Sequence, residues 1–210
     1  MLIGVDLDDT LLNRTEAYSA WVDSFCLSHD RVDEAPWLRA HGRSGTLPHT
    51  ELAAALSERW GISEVGLAEV VRGQHLAWII ARSPIERRKY ELSRLRSENH
   101  RVVILTNGEA DWQVAKIRAL RLDQFVDGWF ISGPSGVRKP QREFFDMAAQ
   151  RWEAPAVDWV VGDNPATDIA GGRRHGAKTG WVSHARQWPV RAFAPTVSGT
   201  DVIDVLRQIR

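Results

Sequence analysis

The sequence predicts an α/β protein: a Rossmann-like, doubly wound parallel sheet interrupted after its first strand by an all-helical insertion. Three observations carry this. The chain opens MLIGVDLDDT, where Leu2 to Leu7 is a short apolar run with one acid, as a strand buried on both faces reads. Residues 15–82 carry helical spacing and no strand pattern. From residue 84 onward strand and helix patterns alternate, which argues for parallel βαβ units. The expected boundaries are a core at 1–14 and 83–210 and a helical insertion at 15–82.

Taken in order, the insertion holds TEAYSAWVDSFCLSH, HTELAAALSERW and SEVGLAEVVRGQHLAWIIAR, separated by breaks at Pro36, Gly42 to Pro48 and Gly61. Ser83-Pro84 reads as a helix start, since proline is tolerated in the first turn. IERRKYELSRLRSEN is the next helix and RVVILTN the second buried strand. WQVAKIRALRL is helical and GWFISG a strand. After Lys139-Pro140 come the helix REFFDMAAQRW and the strand DWVVGDN. A Gly-rich helical segment and the strand TGWVS follow. The tail, TDVIDVLRQIR, reads as a short strand or turn running into a last helix.

Composition narrows the function classes. The chain has 27 basic and 27 acidic side chains and a net charge of zero, which gives no argument for a nucleic-acid or anionic-membrane partner. The single cysteine, Cys26, excludes an internal disulfide and a four-cysteine zinc site, and its amphipathic setting reads as core. The start lacks the basic and long apolar regions of a signal peptide, and no segment is apolar for the length of a membrane span. A soluble, cytoplasmic protein is expected. Of the basic residues only Lys89, Lys116, Lys139 and Lys178 are lysines.

In open α/β sheets ligands bind at the carboxyl ends of the strands. The first strand ends in Asp6, Asp8 and Asp9, the second in Thr106, Asn107 and Gly108. Lys139 follows the third, and the fourth ends in Gly162, Asp163 and Asn164. Packed carboxylates repel one another unless a cation or a phosphate-handling task holds them there. Phosphoryl transfer, which is mostly positioning and charge stabilisation, needs this kind of set. Asp6 is placed to attack phosphorus and form an aspartyl-phosphate. Asp8, two residues on, points the same way by strand periodicity and is placed to move protons. Asp163 with Asp6 makes a hard oxygen site for Mg²⁺. Thr106 and the backbone N–H groups after it suit phosphoryl oxygens, and Lys139 adds positive charge.

The run DLDDT, LTNG, RKP and GDNPATD resembles the four motifs of the haloacid dehalogenase (HAD) superfamily of phosphohydrolases, in order and across essentially the whole chain. The resemblance implies a nucleophile and metal ligand at Asp6. It implies a general acid/base at Asp8, whose backbone carbonyl is a further metal ligand. It implies phosphate binding by Thr106 and Asn107, and a lysine at Lys139 that steadies nucleophile and phosphate. It also implies a metal ligand at Asp163 and an outer-shell acid at Asp168. Asp9 stands where many members carry glycine. The insertion resembles the family's helical cap, which closes over the site and sets substrate choice. The segments near 13–16 and 81–84 are then its hinge. The expected cofactor is Mg²⁺ and the expected partner a small phosphorylated substrate.

Blander readings exist for each residue alone. Asp6 and Asp8 also suit a turn, as does Thr106-Asn107-Gly108, and Asp168 also suits a helix cap. His100, His175 and His184 read as surface or loop residues. His41, Arg43 and His49 fall in the break HGRSGTLPH and are candidate specificity residues, or an ordinary polar loop. Trp112 is a candidate for the pocket border. A phosphomutase keeps the same motifs. A 2-haloacid dehalogenase lacks the acid at the position of Asp8. A receiver-type signalling domain orders its residues differently.

Overall fold

Leu2–Val5 reads LIGV, and all four side chains are buried. This is the central strand of the sheet. In the computed structural model, which describes all 210 residues, the strands are Leu2–Val5 (β1), Arg101–Thr106 (β2), Gly128–Ile131 (β3), Trp159–Gly162 (β4), Lys178–Val182 (β5) and Val197–Gly199 (β6). They form one sheet in the order β3-β2-β1-β4-β5-β6, and every pairing is parallel. Ile3 aligns with Val102 on one side and with Trp159 on the other.

The chain winds outward from β1 through β2 to β3, then returns to the far side of β1 and continues through β4 to β6. The order reverses between β1 and β4, and a crevice at such a switch point is where α/β sheets bind ligands. Asp6 and Asp163 directly follow those two strands.

The helices are Arg14–Ser28 (α1), Ala35–His41 (α2), His49–Trp60 (α3), Leu67–Arg82 (α4), Ile85–Ser97 (α5), Ala110–Ala119 (α6), Ser132–Ser135 (α7), Arg142–Arg151 (α8), Ala170–His175 (α9) and Val202–Leu206 (α10). The chain divides into two compact units. One is Met1–Leu12 with Pro84–Arg210, the other Asn13–Ser83.

In the first unit α5, α9 and α10 lie on the sheet. A core of Leu2, Val103, Leu105, Phe144, Phe145, Ala148 and Val160 joins α8 to the strands. Burying each of the larger of these side chains contributes about 1.5–3 kcal/mol. The second unit is built only from α1 to α4 and two short 3-10 turns. Tyr18, Trp21, Phe25, Leu38, Leu52, Leu56, Trp60 and Val71 make its core. Trp21 stacks on Phe25 at 4.8 Å, and Phe25 on Trp60 at 5.6 Å. The Trp21 indole N–H donates to Gln74 Oε1 at 2.9 Å, so its one polar atom is satisfied. α3 stops at Gly61, whose φ of 69° is the left-handed end conformation that glycine adopts without strain.

The α/β fold class holds, with local differences. Pro36, expected to break structure, instead sits in the first turn of α2. Proline lacks an N–H, and the first turn needs none. β6 ends before the tail TDVIDVLRQIR, whose helix is α10, and Ser132 and Gly133 of the expected strand GWFISG open α7 instead. His175, expected at the surface or in a loop, ends α9 with its ring almost wholly buried. Its Nε2 accepts the Val157 N–H at 3.2 Å, and its Nδ1 lies 3.1 Å from Asp146. No helix is long and apolar enough to cross a membrane.

Candidate active site

The site begins where β1 runs out. The Asp6 N–H donates to Val161 O at 2.8 Å, carrying the β1–β4 ladder one residue past the strand. The chain then turns tightly: the N–H groups of Leu11 and Leu12 both donate to Leu7 O. Asp9 takes a positive φ of 58° inside this turn. Asp6 is 8 % exposed, and the Thr10 hydroxyl lies 3.4 Å from its Oδ2.

Lys139 arrives from the loop between α7 and α8 and is 3 % exposed. Its ammonium donates to Asp6 Oδ1 (2.6 Å), Asp168 Oδ1 (2.6 Å) and Leu105 O (2.8 Å), which uses all three of its hydrogens. Asn107 fixes the lysine backbone from both sides. Its Oδ1 accepts the Lys139 N–H at 2.9 Å and its Nδ2 donates to the Lys139 carbonyl at 3.0 Å. Thr106, the last residue of β2, is 1 % exposed.

Beyond β4, Asn164 rather than Asp168 caps the following turn, because the Asn164 side-chain oxygen accepts from the N–H groups of Ala166 and Thr167. Asp168 is thereby free for another task. Its Oδ2 accepts the Asn164 N–H at 3.0 Å and its Oδ1 takes Lys139. Gly162 makes room for it: a Cβ there would overlap the Asp168 carboxyl group.

Carboxylate oxygens of Asp6, Asp163 and Asp168 lie within 4.8 Å of one another. Three acids thus face two cations, Lys139 on Asp6 and Asp168 and Arg186 on Asp163, leaving excess negative charge. Burial, then Asp168 and Asp6, push the Asp163 carboxyl up to about 8. Burial also raises Asp6 above the usual carboxylate range, against the pull of Lys139 and with Asp168 adding to the rise. Burial disfavours the Lys139 charge, but Asp168 and Asp6 outweigh it and raise its pKa. Hard oxygens with uncompensated charge are what a divalent cation of the magnesium type takes, so these residues fit one. Arg186 meets the same cluster from the loop after β5, its Nη2 lying 2.8 Å from Asp163 O and 3.2 Å from Asp163 Oδ2.

Asp8 is held apart from that cluster. Its carboxylate faces α6, where Lys116 Nζ lies 2.5 and 2.7 Å from its two oxygens. Gln113 Nε2 lies 3.0 Å from Asp8 Oδ2, 2.5 Å from Thr106 Oγ1 and 3.1 Å from Asn107 O. Sequence reasoning missed Arg186, and it missed Gln113 and Lys116. For the last two the available signal was their i, i+3 spacing on a helix that starts just after a strand end, which puts both on one face. Trp112 is half-buried and lies beside Lys116, the ammonium 5.4 Å from its ring centre.

The three candidate specificity residues sit in the second unit, in different settings. His41 is exposed, its ring 5.1 Å from that of Trp37. Arg43 is exposed with a φ of 49°. A His49 ring nitrogen lies 3.0 Å from Nδ1 of the buried His75.

A parallel sheet that gathers aspartates and a lysine at its carboxyl edge is an α/β fold with an acidic centre at its ligand-binding edge. The chain belongs to the haloacid dehalogenase-like hydrolases, whose family model matches residues 1–176. The phosphoserine phosphatase of Thermus thermophilus is 30% identical over 222 aligned positions, covering 86% of this chain and 88% of that protein. The glyceraldehyde 3-phosphate phosphatase of Pyrococcus abyssi is 34% identical over 96 residues, which is 45% of this chain and only 40% of that protein's length. The first curated relatives are matched over less than half their length. Among solved structures, a putative β-phosphoglucomutase from Thermotoga maritima shares the fold. It has a TM-score of 0.74 and 15% identity, covering 98% of this chain and 96% of that one.

Proposed function

We propose that this chain is a Mg²⁺-dependent phosphomonoester hydrolase that acts on a small phosphorylated metabolite through an aspartyl-phosphate at Asp6. The observation that carries the reading is the separate housing of two aspartates only two residues apart. Asp6 is held by Lys139 beside Asp163 and Asp168, and Asp8 is held by α6. The two carboxylates are thereby held in separate places, one inside the acidic cluster and the other beside the end of β2, so that attack and proton transfer fall to different side chains.

In the first step an Asp6 carboxylate oxygen forms a bond to phosphorus as the bond from phosphorus to the leaving oxygen breaks. Asp8 supplies the proton that this oxygen takes up. In the second step water attacks phosphorus and loses a proton to Asp8. The phosphorus–Asp6 bond then breaks, releasing inorganic phosphate and restoring both side chains. Lys139 holds Asp6 in line for attack and supplies positive charge next to the transferred group. Thr106 and Asn107, at the end of β2, bind phosphoryl oxygens. Asp6, Asp163 and the Asp8 carbonyl would hold Mg²⁺, with Asp168 orienting Lys139. The ion would supply charge that lets an anionic carboxylate approach an anionic phosphate. The helical unit, residues 13–83, is assigned the role of the substrate-selecting cap, with His41, Arg43 and His49 as its candidate contacts.

The presence of Asp8 separates this reading from a dehalogenase, which needs no acid to protonate a departing halide. The test is phosphate release from a panel of phosphorylated metabolites, phosphoserine among them, with and without Mg²⁺. Release should need the metal and vanish in Asp6→Asn with the fold kept. Asp8→Asn should retain less than about one-hundredth of the activity, the scale of a lost general acid, and accumulate phosphoenzyme. Unchanged turnover in Asp6→Asn would sink the mechanism.

A further inference from the structure

We propose that Lys116 and Gln113 are positioning residues that aim the Asp8 carboxylate, with Gln113 locking it to the end of β2. The inference rests on the hydrolase reading and deepens it, since it concerns how the proton carrier is held.

Lys116 is 1 % exposed, and so is Gln113. Taking an ion pair out of water costs several kcal/mol, and replacing both of its partners by apolar side chains of similar volume is often neutral or stabilising. Stability alone therefore does not account for a lysine here. Its contacts do: the ammonium reaches both oxygens of Asp8, at 2.5 and 2.7 Å, so it restrains the rotation of that carboxylate as well as its distance. Gln113 adds a second restraint from one turn earlier on the same helix. Its amide nitrogen is shared by Asp8, Thr106 and the Asn107 carbonyl. The proton carrier after β1 and the hydroxyl at the end of β2 are thus held by one side chain, although 98 residues separate them in the chain. Holding a group in its reacting geometry before the reaction is what positioning contributes to rate.

A positioning role makes a specific demand. Asp8 protonates the leaving oxygen, so misplacing it should hurt poor leaving groups and spare good ones. The experiment measures kcat/KM for phenyl phosphate and p-nitrophenyl phosphate, with Mg²⁺, in wild type, Lys116→Met, Lys116→Arg and Gln113→Leu. Phenol leaves poorly without a proton and p-nitrophenol leaves well. Lys116→Met should lose on the order of 10- to 100-fold on phenyl phosphate, a part of what a well-placed general acid supplies. It should lose less than about 3-fold on p-nitrophenyl phosphate, as expected when the leaving group needs little proton transfer. The loss should fall on kcat rather than KM, and Lys116→Arg should restore most of it. Equal losses on both esters, or none, would overturn the proposal and leave the pair a structural one. If Lys116→Met does not fold, the same ratio in Gln113→Leu decides. A wild type that releases phosphate from neither ester and from no member of the metabolite panel would overturn the hydrolase reading itself, and the inference with it.

Discussion

Lys139 is the residue on which the charge balance of the site depends. Its ammonium lies between Asp6 and Asp168, all three almost completely buried. Removing one partner of a buried pair strands the other charges, at a typical loss of about 3–5 kcal/mol. Lys139→Ala is therefore expected to lose stability on that scale in urea unfolding, and to lose most phosphate release. Added Mg²⁺ should return part of the stability, because a cation between the same carboxylates replaces the missing charge. A variant as stable as wild type without metal would show that the acids are not repelling one another. Lys139 was legible in the sequence because it precedes a proline between two regular patterns and takes its place in an ordered set of motifs. Lys116 was not, because its role depends on which face of α6 meets the end of β1. Arg186 carried no local signal at all, lying in a loop whose course only the sheet edge determines.

Among the elements, the α3–α4 region of the helical unit holds a titratable pair of its own. His49, at the start of α3, lies 3.0 Å from His75 on α4, and burial drives the His75 pKa down to about 3, with His49 adding to the shift. The sign follows from linkage. An unfolded histidine binds its proton below about pH 6.5 while the buried ring stays neutral, so the unfolded state takes up more protons on acidification. The stability is fully present above pH 6.5 and is lost as pH falls from there toward about 3. At pH 5 the loss from this one group is about 2 kcal/mol. Urea unfolding followed by tryptophan fluorescence at pH 7 and pH 5 should show it, and His75→Leu should flatten the difference. An equal drop in that variant would assign the acid sensitivity to other groups. The helices themselves were readable, since helical spacing survives in the sequence wherever one face is buried. α2 was the exception, because Pro36 is a stop in mid-helix and a start in the first turn, and only the direction of the chain around it distinguishes the two.

For the molecule as a whole, the test is whether metal binding and folding are linked. A ligand that binds only the folded state stabilises by about 2.7 kcal/mol at a hundred times its Kd. Mg²⁺ should therefore raise the melting temperature of the wild type, a chelator should reverse the rise, and Asp163→Asn should respond weakly. A melting temperature indifferent to Mg²⁺ in the wild type would count against a cation among these acids.

The architecture was readable because it is written locally. Buried strands are short apolar runs, and helices repeat every three to four residues. Four motifs in order then name the ends of the strands where chemistry gathers. The sequence by itself determined that Asp6, Asp163 and Lys139 would converge at one sheet edge. Only the tertiary structure decided who holds whom. Lys139 reaches Asp6 across 133 residues, and Lys116 reaches Asp8 across 108. Such partnerships depend on how α6 is rotated against the sheet and on the course of the loop that carries Lys139. Both are set by packing of the whole core, to which no short stretch of sequence has access.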